Sequence, residues 1–192
     1  MISRRFLLSS CLLVASGATA YAKERTMEQW MNEWMEEKQL GSALHMSRFV
    51  EPMYFLTKPI GWKPAPDVID LKPAEVPVGF VTDFASIPQV FWSVLRPDGE
   101  YTYAAIIHDF LYWVQDRPRK DCDRVLKLAM EDLKIDAATV ESIYLAVRVG
   151  GDSAWQSNHQ AKANGEKRIL KVFPDDPTRR WEEWKKIPDV FA

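Results

Sequence analysis

The residues best suited to acid–base chemistry are the adjacent His108 and Asp109, which lie inside the apolar run 104–113. Placing an imidazole and a carboxylate among Ile, Phe, Leu and Trp side chains carries a desolvation cost that partners must offset. Titratable groups in such settings cluster at functional sites, and histidine changes its charge near neutral pH. The pair is therefore the first candidate for a functional site.

A helix through this run would separate the two side chains. His108 and Tyr112 are four residues apart and share one face, whereas Asp109 points about 100° away. The pair therefore needs partners from other parts of the chain. Asp83 comes from an irregular loop after a strand, and we expect it to contact His108. Asp123 opens the following helix and is expected nearer Tyr112 or Asp109, about one turn below the imidazole.

These side chains form the candidate catalytic set: His108, Asp83, Asp109, Tyr112 and Asp123. In this hypothesis His108 is the general base toward water and Asp83 orients its imidazole. Asp109 fixes a substrate group or binds a metal ion, and Tyr112 steadies the site. One histidine and a few aspartates suit a hard divalent ion but fall short of a structural zinc site. The metal and any other cofactor therefore stay unknown.

Each of these residues also has a structural interpretation. His108 can be a core histidine that is satisfied by hydrogen bonds, and Asp109 and Asp123 can cap or bridge helices. Asp83 can form a turn, and Tyr112 can bury its ring while its hydroxyl bonds to Asp123. Both interpretations stay open at this point.

The flanking patterns predict the elements that hold these residues. Strands are predicted over 48–57, 68–71 and 76–82, with a proline-containing loop at 58–66. Helices are predicted over 86–95, 100–115 and 120–134, and over 136–149, where Gly150-Gly151 should end the last one. A Met/Trp stripe predicts an extra N-terminal amphipathic helix over 26–38. The sequence thus predicts an α+β fold with a small antiparallel sheet packed on a bundle of three to four helices.

An ordered set of motifs adds a family resemblance. The segment VPVGFVTDFASIP at 76–88 is followed by Pro97-Asp98-Gly99, by HDFLY at 108–112 and by Asp123. Over about residues 48–151 the chain resembles the bacterial and phage family called domain of unknown function 1353. The resemblance implies four signature polar positions, all present here: Asp83, His108, Asp109 and Tyr112. It implies no settled activity.

The N-terminal residues are typical of an export signal. Arg4 and Arg5 precede an apolar stretch at 6–15, and small residues at 18–22 fit a cleavage site. The stretch is too short to span a bilayer, so no transmembrane anchor is expected after cleavage. The sequence predicts a cleavable signal over 1–22 and a periplasmic location, reached through a Sec or twin-arginine signal.

The remaining residues suit one α+β domain over 23–173, with a family-like core at 48–151 and a Trp/Pro-containing tail at 174–192. The tail can lie on the body as a short helix or bind a partner. Loss of the two signal arginines changes the formal net charge from −2 to about −4. Because no basic run is present, the sequence indicates no nucleic-acid partner.

Two functional hypotheses follow. The first is a periplasmic hydrolase of cell-envelope material with His108 as general base. The second is a non-catalytic envelope or assembly module in which the His/Asp cluster is structural and the tryptophan-rich ends bind a partner. The expected partner is a cell-envelope component or another protein.

Overall fold

The computed structural model describes residue 41, residues 43–84 and residues 101–192. The predicted export signal, the N-terminal helix over 26–38 and the short helix over 86–95 lie outside these residues. Within them, no helix has the length and apolar character needed to cross a membrane.

The described chain begins with five short strands and continues with four helices. The strands are β1 (Met46–Arg48), β2 (Tyr54–Leu56), β3 (Ile60–Trp62), β4 (Ala74–Val76) and β5 (Val81–Thr82). The helices are α1 (Thr102–Val114), α2 (Arg119–Asp132), α3 (Ala137–Ala163) and the single turn α4 (Trp181–Trp184).

The strands form two small antiparallel sheets. One has the order β1-β2-β5, with Ser47 opposite Phe55 and Phe55 opposite Val81. The other is the hairpin of β3 and β4, in which Gly61 lies opposite Glu75. Small antiparallel sheets that pack with helices define an α+β protein, so the predicted fold class is confirmed.

The strand boundaries differ from the predicted ones for local reasons. The predicted single strand over 48–57 is interrupted by a turn in which the Phe49 amide donates to the Met53 carbonyl at 2.9 Å. The predicted loop at 58–66 contains β3, because its prolines at 59, 64 and 66 all fall outside Ile60–Trp62. The predicted strand at 68–71 does not form, and residues 69–70 form a turn instead.

The helix predictions are closer, with one correction at the end of α3. Asp136 caps this helix as predicted, since its carboxylate accepts from the Thr139 amide at 2.9 Å. The helix does not stop at Gly150-Gly151 but continues to Ala163. Glycine lowers helix stability by only about 1 kcal/mol, which tertiary packing can offset.

Helix α1 lies at the centre of the main core. Its residues from Thr102 to Asp109 are all buried, as are Leu111, Tyr112 and Trp113. A helix that is buried on every side must be covered by neighbours all round. Helices α2 and α3 and both sheets pack around α1.

The C-terminal tail packs on the body through a second, smaller core. Trp181 is only 5% exposed, and it lies against Phe49, with ring centroids 5.4 Å apart. Its other neighbours in this cluster include Leu170 and Val190. The residues at 168–170 also pair with the strand edge at 79–81, where the Val81 amide donates to the Arg168 carbonyl at 2.8 Å.

This pairing requires glycine at position 79. Gly79 has a φ of +83°, and a Cβ there would fall on the Leu170 carbonyl. We expect Gly79→Ala to lower the free energy of unfolding by about 3 kcal/mol, because backbone strain adds to overpacking. Urea denaturation would measure this loss.

Gly165→Ala is the matched control. Gly165 has a similar φ of +85°, but nothing lies within 4 Å of the position that a Cβ would take there. The control should therefore lose only the strain contribution of about 1 kcal/mol. Equal losses in the two variants would show that the approach of Leu170 to Gly79 contributes nothing to stability.

Candidate functional site

His108 lies on the buried side of α1 that faces α2. Its side chain is 0% exposed, and so is that of Asp123 on α2. The His108 Nε2 is 2.9 Å from Asp123 Oδ1, and the Tyr112 hydroxyl donates to the same oxygen at 2.6 Å. The His108 and Tyr112 rings also contact each other, with centroids 4.1 Å apart.

The predicted partnership was therefore wrong for His108 and correct for Tyr112. Asp123, not Asp83, is the residue that contacts the imidazole. The prediction placed Asp123 a full turn below His108. Residues four apart on a helix are neighbours about 5–6 Å apart, so one carboxylate oxygen can contact both.

Two arginines complete this arrangement from the other side of the carboxylate. Arg148 Nη1 on α3 lies 2.6 Å from Asp123 Oδ2, and Arg119 Nη1 on α2 lies 3.4 Å from it. Arg119 also donates to the Val147 carbonyl of α3 at 3.0 Å. We call these residues the histidine cluster: His108, Tyr112, Arg119, Asp123 and Arg148. It joins α1, α2 and α3.

Neither arginine was among the predicted site residues. Arg119 precedes Asp123 by four positions, the spacing of an ion pair on one helix face, so the sequence carried a signal for it. Arg148 lies 25 residues after Asp123, and only the packing of α3 brings the two together.

Burial controls the protonation states in the histidine cluster. Burial lowers the pKa of His108 because it disfavours the imidazolium, and this outweighs the opposite effect of Asp123. Burial alone would raise the pKa of Asp123, but hydrogen bonds from His108, Tyr112 and Arg148 hold it below its ordinary value. A neutral His108 that donates its Nε2 proton to an anionic Asp123 fits these directions.

Gly151 explains why α3 continues past the two glycines. A Cβ on Gly151 would collide with the Tyr112 hydroxyl and would crowd Arg119. The missing side chain lets α3 pass directly over the histidine cluster, where Trp155 also packs edge-on against the Tyr112 ring at 5.2 Å. The absence of a side chain at Gly151 thus permits the close approach of α3 to Tyr112 of α1.

Asp109 points to a different place from His108, as the helix spacing predicted. Its Oδ2 accepts a hydrogen bond from the Thr82 hydroxyl, and this hydroxyl in turn accepts from the Phe84 amide at 3.1 Å. Phe84 has a φ of +60°, a rare conformation for a bulky residue. The chain thus turns sharply immediately after Asp83.

Asp83 and Asp109 line one cavity of about 320 Å³. We call it the aspartate cavity, and its lining residues are Asp83, Asp109, Ser153, Ala154, Ser157, Asn158 and Arg168. His108 is not among them. The structure therefore divides the five predicted site residues between a buried cluster and a cavity.

Arg168 supplies a positive charge in the wall of the same cavity. Burial lowers the pKa of Arg168, but attraction to Asp109 and then to Asp83 raises it more, so the net change is upward. The guanidinium also lies 4.8 Å from the centroid of the Trp113 ring and 3.0 Å from Glu166. The pairing of 168–170 with β5 places this arginine in the cavity wall. No sequence motif indicated that placement.

The described residues offer little support for metal or thiol chemistry. Among them, no three His, Cys, Asp or Glu side chains are grouped so that they could hold a metal ion. Burial raises the pKa of the Cys122 thiol to about 12, so this group stays protonated near neutral pH.

Comparison with known proteins supports the family resemblance and assigns no activity. Residues 66–147 match the family described as "Protein of unknown function (DUF1353)", and the resemblance is thus confirmed over this segment. The chain is 33% identical over 78 residues to "Uncharacterized protein y4jT" of Sinorhizobium fredii (strain NBRC 101917 / NGR234). That alignment covers 40% of this chain and 23% of the relative. No solved structure matches the chain significantly.

The lowered pKa of His108 predicts a pH-dependent stability. Below about pH 6.5, the ordinary histidine value, the unfolded chain binds a proton that the folded chain excludes. The free energy of unfolding should therefore fall as the pH falls from 7.5 to 5. His108→Gln keeps an N–H donor that cannot titrate, so its stability should change less over this interval. Urea denaturation at several pH values measures both slopes.

The pH window separates His108 from Asp123, because the lowered pKa of Asp123 affects stability only below about pH 5. The other histidines are present in both proteins. Parallel slopes for the wild type and His108→Gln would contradict a neutral, buried imidazole.

The contact at Gly151 predicts an unusual glycine substitution. Gly151→Ala should destabilise the protein by about 1–3 kcal/mol through overpacking on Tyr112, although alanine favours helix. Val149→Ala, at a site that is 79% exposed on the same helix, should change stability by less than about 0.5 kcal/mol. A Gly151→Ala variant more stable than wild type by thermal unfolding would contradict the close approach of α3.

Proposed function

We propose that this protein is an exported, non-catalytic envelope or assembly module in which the histidine cluster is structural. The observation that carries the proposal is the environment of His108. Its ring is fully buried, and its Nε2 contacts a carboxylate that also binds Tyr112 and two arginines.

A general base must come within about 3 Å of the proton that it removes, directly or through one water. The Nε2 of His108 is already bonded to Asp123, and the ring is packed against Tyr112. Such an arrangement ties three helices together, as a fully satisfied polar network in a core does. It offers no face of the imidazole to a substrate.

Export supports the envelope part of the proposal. Arg4 and Arg5 precede a short apolar stretch, and two overlapping small-x-small motifs follow at 18–22. We propose cleavage there and a periplasmic location.

Replacing both arginines by lysine keeps the positive charge, so a Sec signal should still work whereas a twin-arginine signal should fail. Fractionation of cells that express each tagged chain separates the two routes.

Because Trp181 is buried in the second core, it is not available to contact a protein partner. Truncation after Phe173 would remove Trp181 and Val190 from the second core, so it would disturb folding as well as any interface. A partner surface on the tail must therefore use residues other than Trp181. Exposed positions, such as Ile187 at 41% exposure, are the ones to substitute in pull-down experiments.

One observation favours a hydrolase of envelope material as the second candidate function. Asp83 and Asp109 share a cavity, and paired carboxylates can act as general acid and base. In this version the two aspartates perform the chemistry, and His108 is a positioning residue that holds α1 against α2.

The two candidates predict different results for two variants. His108→Ala should lower the free energy of unfolding by about 3 kcal/mol, because it removes one hydrogen-bond donor to the buried Asp123 and leaves a cavity in the core. Asp83→Asn should change stability little. These two variants, His108→Gln and the wild type are all assayed for hydrolysis of purified peptidoglycan and of phospholipid vesicles.

In the non-catalytic proposal no preparation hydrolyses either material. Hydrolysis by the wild type that Asp83→Asn abolishes, at unchanged melting temperature, would replace the proposal by the hydrolase. Hydrolysis that only His108→Gln abolishes, again at unchanged melting temperature, would restore His108 as the catalytic base.

A further inference from the structure

The aspartate cavity has a buried amide residue, Asn158, in its wall. Asn158 lies on α3 and is only 8% exposed. Among the residues that the structure describes, none forms a hydrogen bond with its side-chain amide. A ligand group that enters the cavity can therefore pair with this amide without displacing a protein partner.

The other polar groups of the cavity restrict what can enter it. The carboxylates of Asp83 and Asp109 only accept hydrogen bonds when ionised, whereas the Arg168 guanidinium only donates. Two carboxylates disfavour an anion, and the guanidinium beside them disfavours a lone cation. Asn158 and Ser157 can each donate and accept. A neutral ligand with several hydroxyl groups suits this lining, because each hydroxyl also does both.

The volume of the aspartate cavity and the presence of a neighbouring cavity favour a ligand in which one ring is part of a longer chain of units. A volume of about 320 Å³ lies at the lower end of the range for small-molecule sites, near 300–1,000 Å³. A second cavity of about 680 Å³ also has Ser157 in its wall. Its lining includes Lys167, Lys185 and Lys186, side chains that donate hydrogen bonds to a polar chain.

From these observations we propose that the aspartate cavity binds one sugar ring of an oligosaccharide, with Asn158 as a specificity-determining contact. The ring's hydroxyls bond to the Asn158 amide and to the carboxylates, and the following unit lies in the neighbouring cavity beyond Ser157. The inference concerns a different site from the histidine cluster. Either proposal can therefore fail while the other stands.

The test compares two amide-to-leucine substitutions on one helix. Asn158→Leu removes the amide while keeping a side chain of similar size. Gln156→Leu makes the same change at an exposed residue outside both cavities. The full chain of each is titrated with β-1,4-linked N-acetylglucosamine trimer and with glucose, by calorimetry and saturation-transfer NMR. Thermal unfolding verifies that each variant is folded.

We expect the wild type and Gln156→Leu to bind at least one of these sugars with equal affinity. Asn158→Leu should bind it at least tenfold more weakly. The proposal is overturned if the wild type binds neither sugar, or if Asn158→Leu binds as tightly as the wild type.

Parallel titrations with inorganic phosphate and with methylamine test the inferred ligand class. Binding of either ion, but of neither sugar, would overturn the assignment to a neutral polyhydroxylated ligand. If Asn158→Leu does not fold, Asn158→Asp serves in its place. It adds a third carboxylate of the same shape, and unchanged sugar affinity in that variant contradicts the proposal equally.

Discussion

The structure depends above all on the buried carboxylate of Asp123. One oxygen binds two side chains of α1 and the other binds arginines of α2 and α3, so one charged group joins three helices. A buried carboxylate is stable only when such partners offset its desolvation. Because every partner must be in place at once, the cluster sets the relative positions of the helices.

The geometry of α1 places the adjacent residues His108 and Asp109 in two different environments. His108 faces α2, and Asp109 faces β5, where the Thr82 hydroxyl donates to it. Successive helical residues point about 100° apart, so this separation follows directly from the backbone. The two adjacent titratable residues therefore lie in different surroundings, His108 in the buried cluster and Asp109 in the wall of the cavity.

Sequence patterns could predict the local features but not the long-range contacts. The α+β class, the Asp136 cap and the limits of α1 and α2 follow from periodicity and capping, which involve neighbouring residues. The histidine–aspartate partnership, the role of Gly151 and the placement of Arg168 involve residues far apart in the chain. These contacts depend on the packing of distant elements, which a short sequence motif cannot predict. Gly151 illustrates the limit, because a helix-ending glycine and a close-approach glycine look alike in sequence.

The histidine cluster and the aspartate cavity share the same two helices. Helix α1 carries both His108 and Asp109, and α3 contacts the cluster through Gly151 and the cavity through Asn158. A substitution that moves α3 away from Tyr112 must also move the cavity wall two turns further along. The buried charges therefore stabilise the fold and also keep the polar groups of the cavity at the spacing that a ligand would require. In this way the histidine cluster helps to fix the geometry of the cavity although His108 does not line it.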